Sequence, residues 1–122
     1  MFAVEDWWTG DLYSFLTQTP ATFNIDALED TEVLQISKPN LEKLYESVPK
    51  FERFFRFQFQ NAFVAQQQRI MQSLSFTAEE RYLHFINKYP QLEQRIPQKQ
   101  VAAYLGITPE FLSMLRRKLA KK

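Results

Sequence analysis

Hydrophobic positions from Gln98 to Arg117, QKQVAAYLGITPEFLSMLRR, follow a helical rhythm interrupted by one glycine. Val101, Leu105, Leu112 and Leu115 fall at spacings that share helix faces, with Ile107 between them. A single helix through this stretch would carry Gly106 in its interior, at a cost of about 1 kcal/mol relative to alanine. The pattern instead predicts two short helices with a tight turn at Gly106, where glycine takes a positive φ at little cost. Ala102 leaves room for the close approach of two steeply crossing helices. Thr108 has the chemistry of a helix N-cap and Pro109 suits a first helical turn.

The polar and apolar pattern upstream predicts further helices. Thr77 followed by Glu80 is a capping box, opening a helix with Tyr82, Leu83, Phe85, Ile86 and Tyr89 that stops at Pro90. Gln91 to Arg95 reads as a polar link. Pro39 opens another helix, with Leu41, Leu44, Tyr45 and Val48 at helical spacing, ended by Pro49. No glycine or proline interrupts Lys50 to Leu74, which allows a helix of about 24 residues, or about 36 Å. Its apolar residues lie in more than one stripe. Phe55, Phe59, Phe63 and Ile70 share one face, while Phe57, Val64 and Met71 recur every seven residues. A helix apolar on two sides needs two neighbours. The expectation is a dimerisation helix whose contacts are Phe57, Phe59, Phe63, Val64, Ile70 and Met71, packed against a second copy.

The first 36 residues have a different rhythm. Ala21–Ile25 and Glu32–Ile36 alternate with period two, as half-buried strands do, with Ala27–Thr31 as the connection. Thr9-Gly10-Asp11 has turn chemistry. The fold expected is therefore mainly α with a small β part. Its parts are a segment of strands and turns at 1–36, connecting and dimerising helices at 37–74, and a helix-turn-helix domain at 75–122.

Composition adds two points. Twelve Phe and five Tyr among 122 residues demand large apolar faces, and the net charge is only +1. That charge is unevenly spread: residues 1–34 hold seven acids and no Lys or Arg, whereas residues 116–122 hold five bases and no acid. Such asymmetry points the C-terminal end towards an anionic partner. The absence of cysteine excludes disulfides and thiolate metal sites. With no long apolar run and no leader-like start, a cytoplasmic protein without membrane association is expected.

Ala102, Gly106 and the five apolar positions together make the pattern of a DNA-binding helix-turn-helix. In that arrangement the second helix, from Pro109, enters the major groove. The DNA-facing set is then Gln98, Lys99, Thr108, Glu110, Ser113, Met114, Arg116, Arg117 and Lys118. Glu110 suits a cytosine amino group and Arg117 a guanine or a phosphate. Gln98 and Lys99 suit the backbone, and Arg116, Lys118, Lys121 and Lys122 supply attraction independent of sequence. Met114 offers no hydrogen-bond pattern to a base.

The order of parts resembles the Crp/Fnr family of bacterial transcription regulators. Trp8 to Phe15 followed by Glu32 to Ser37 looks like the end of that family's cyclic-nucleotide-binding β-roll. Glu79-Glu80-Arg81-Tyr82 through Pro90, then Ile96-Pro97 and Tyr104 to Glu110, looks like the winged-helix half found in Bacteroidetes-type members. The resemblance implies a remnant β-roll, a long dimerising helix, a palindromic double-stranded operator, and RNA polymerase as a further partner. It also implies a degenerate ligand site: Gly10 and Asp11 at the turn glycine and ribose-binding acid, and Ala21-Thr22 where the family has an arginine followed by Ser or Thr. Lacking that arginine, the site is not expected to take cyclic AMP tightly. The roll lacks its first half and the wing is missing or minimal, as in a shortened member or a fragment.

Other readings are weaker. His84 is the single histidine, expected to pack on its helix, and no metal site or cofactor is expected. Trp7 and Trp8 suit packing better than a ligand pocket. No nucleophile triad or phosphate-cradling loop occurs, so an enzyme is not expected. The alternative function is a dimeric helical protein-interaction module that has lost both ligand sensing and DNA reading.

Overall fold

The computed structural model describes residues 1–122 and is helical wherever it is regular, with no β-strand. Seven helices follow one another: α1 (Leu12–Thr17), α2 (Lys38–Ser47), α3 (Lys50–Ser75), α4 (Ala78–Lys88), α5 (Leu92–Arg95), α6 (Gln98–Leu105) and α7 (Pro109–Ala120). The chain forms two compact units, Met1–Asn61 and Ala62–Lys122, whose boundary falls within α3.

The expected small β part and remnant β-roll are not present. Residues 18–37 form no regular structure, and most apolar members of the alternating segments lie in solvent: Phe23, Ile25, Val33 and Leu34 are exposed, and Ile36 is half-buried. Alternation makes a strand only when a neighbouring strand takes its hydrogen bonds and a core takes one face. Here neither is provided. Trp8 to Phe15, expected in the end of the roll, instead run into the helix α1, Leu12–Thr17. Asp11 caps it by accepting from the Ser14 amide at 3.1 Å, while Leu12, Phe15 and Leu16 fall at helical spacing.

In the first unit α2 opens with Pro39 in its first turn, as its sequence predicts, and Ser37 caps it by accepting from the Asn40 amide. Its Leu41 is buried, and so is Phe55 on α3. Phe55 is the hub of an aromatic cluster. The rings of Trp8, Tyr45, Phe51, Phe54 and Phe59 have centroids 4.9–6.4 Å from it. Most of these contacts are edge-on or tilted, the geometry that aligns a ring's positive edge with its neighbour's negative face. Trp8 thus packs on the cluster while remaining half open to solvent.

The second unit holds the larger core. Thr77 and Glu80 form the reciprocal capping box at the start of α4, with bonds of 3.2 and 2.7 Å. Tyr82 and Phe85 on α4, Leu92 on α5, Ile96 before α6, Val101, Ala102 and Leu105 on α6, and Leu112 and Leu115 on α7 are all buried. Each large apolar side chain removed from water contributes roughly 1.5–3 kcal/mol. The segment read as a polar link contains α5, because Leu92 is drawn into this core. The last turns of α3 join the unit through Arg69, whose guanidinium lies 4.1 Å over the Tyr104 ring, and through Gln72, 3.2 Å from the His84 ring. Phe76 meets the same histidine edge-on.

Candidate nucleic-acid interface

The division at Gly106 is present and its cause is visible. Gly106 has φ +71°, and its amide and that of Ile107 bond back to Ala103 and Ala102. That pair of bonds ends α6 in a Schellman motif. Two residues later Thr108 accepts from the Phe111 amide at 3.2 Å and Pro109 opens α7. Val101, Ala102 and Leu112 are completely buried, and α6 packs against α7. Ile107 is only half-buried.

The nine residues expected to face DNA divide into two groups. Gln98, Ser113, Arg116 and Lys118 are engaged within the unit. The Gln98 amide donates to the Pro109 carbonyl at 3.2 Å and to the Ser113 hydroxyl, which itself donates to the Pro109 carbonyl at 3.1 Å. These bonds tie the first turn of α6 to the first turn of α7. Arg116 is 3.0 Å from the Glu93 carboxylate and 3.4 Å from the Gln98 carbonyl oxygen. Its Nε is buried without a partner. Tyr82 donates to the same Glu93 carboxylate, and burial followed by that bond pushes the phenol pKa up. Lys118 pairs with Glu79 on α4, and this hydrogen bond is the largest cause of the lowered Glu79 pKa. Lys122 lies 4.0 Å from the same carboxylate.

The other group points away from the core. Lys99, Thr108, Glu110, Met114 and Arg117 are exposed, with the Thr108 hydroxyl oxygen taken by the cap. Glu110, Met114 and Arg117, spaced four and three residues apart, share one face of α7. Phe111 is exposed beside them. It did not emerge from the sequence pattern because it stands next to the buried Leu112 and reads as core. Glu79 and Glu93 were also missed. Their cationic partners lie 39 and 23 residues away, and nothing local signals either pairing.

The degenerate ligand site is drawn together differently. Asp11 and Thr22 do meet, but the Asp11 carboxylate accepts from the amides of Ser14, Thr22 and Phe23 at 3.0–3.3 Å. The Ser14 amide is the largest cause of its lowered pKa. The acid is spent on holding its own loop, and Gly10 and Ala21 are exposed at its edge. No arrangement of three or more His, Cys, Asp or Glu side chains converges on a metal-sized position. No helix is long and apolar enough to cross a membrane.

On α3, Phe57, Phe63, Val64, Ile70 and Met71 are all exposed, and Leu74 with them. Phe59 turns inward to Phe55 instead. No protein-family model, curated protein or solved structure matches the chain.

Proposed function

We propose that the chain is a sequence-specific DNA-binding transcription regulator of the Crp/Fnr type, working in the cytoplasm as a homodimer. The observation that carries this reading is the break at Gly106, which gives α7 its own axis with Glu110, Met114 and Arg117 on its outward face. A short helix braced on its inner side, with Arg117 and Glu110 among the side chains of its outer side, is what a major groove accepts. Lys99 and Lys121 are exposed cations available to phosphate. Exposed apolar residues along α3 are the surface on which a second copy packs, and RNA polymerase is the partner of the DNA-bound dimer. Cyclic AMP is not its effector, since the one acid suited to a ribose is consumed in the Asp11 loop.

A binding test on palindromic duplexes decides the matter. Two half-sites about one helical turn apart should bind far better than a scrambled duplex, with affinity falling steeply as salt rises. Equal affinity for every duplex, or none, would leave the interaction-module reading, which the exposed α3 face favours.

A further inference from the structure

Resting on that DNA reading, we infer that Met114 is a specificity-determining residue that reads the 5-methyl group of a thymine in each half-site. On the outward face of α7 the polar residues nearest to it are accounted for. Ser113 is held between Gln98 and the Pro109 carbonyl, and Arg116 is held by Glu93 and Gln98. The middle of the exposed face is therefore Met114, 46% exposed, with Glu110 one turn before it and Arg117 one turn after it.

A thioether on an unbranched stem has no donor for a base oxygen and only a weak acceptor for a base amine. Among major-groove edges, the feature that an apolar side chain complements best is the thymine methyl, since the others are mostly hydrogen-bonding groups. Phe111, exposed one turn earlier, widens the apolar strip on the same side. Arg117 and Lys121, four residues apart along this face, outnumber Glu110 and suit a polyanion better than a purely apolar partner, which would bury them unpaired. The half-site this face fits has a thymine at its centre. A cytosine whose amino group meets Glu110 lies to one side, and a guanine or phosphate contact for Arg117 lies to the other.

The test alters the DNA and leaves the full chain untouched. A half-site is first selected from random duplexes, and each thymine is then replaced singly by uracil, which removes only the methyl. One replacement should raise the Kd of the natural protein about fourfold, the equivalent of one buried methylene. Met114→Ala should bind the thymine duplex that much more weakly and show no further loss with uracil. Selection of a defined half-site that is indifferent to every uracil replacement overturns the role of Met114 while leaving DNA reading intact. Failure to select any half-site overturns both.

Discussion

At the residue scale, two positions decide how the chain turns. Gly106 occupies left-handed backbone, yet a methyl group added to it would meet nothing within 4 Å. Gly106→Ala should therefore lose about 1–2 kcal/mol from backbone strain alone and keep its fold. Urea denaturation measures this directly; a larger loss would mean that the space is not open. Asp11 is the second position. Its carboxyl pKa is held below the ordinary 3.8 by amide bonds, first that of Ser14, so the ionised form is the one the folded loop prefers. The stabilisation is thus present above 3.8 and is lost as pH falls below that value. NMR shifts of the Thr22 and Phe23 amides should move through a titration lying below 3.8. Amides that do not titrate would show that the carboxylate does not hold them. Both residues were visible in the sequence as turn formers, but the Asp11 loop was not, because its partners at 22 and 23 are supplied by tertiary structure.

At the scale of elements, what was legible was what is local. The Thr77–Glu80 box, the Thr108 cap, the Pro39 and Pro109 first turns and the uninterrupted α3 all appear where the sequence places them. The strands did not, because period-two alternation specifies a strand only jointly with a partner, and Val33 and Leu34 have none. The split of the DNA-facing set was illegible for the same reason: whether Arg116 and Lys118 look outward depends on Glu93 and Glu79 in distant helices. The α3 surface carries its own prediction. Val64→Lys places a charge among exposed apolar neighbours, so each chain should fold as before while the mass measured by sedimentation falls from that of a dimer to that of a monomer. A natural protein already monomeric at micromolar concentration would remove the dimer from the account.

At the scale of the whole molecule, charge is divided unevenly between the two units. The acids of the first 34 residues lie in the first unit, and the basic C-terminal end belongs to α7 and its last turn. Glu79 and Glu93 take part of that basic charge, leaving Arg117 exposed next to Met114. The central claim is that this outward face of α7, and not its braced inner side, meets DNA. Its most direct test is the affinity of the protein for a palindromic duplex selected from random sequences, before and after Arg117→Ala. A loss of about 1–3 kcal/mol per half-site, with a shallower dependence on salt, is the result predicted. Undiminished affinity and an unchanged salt slope would contradict it.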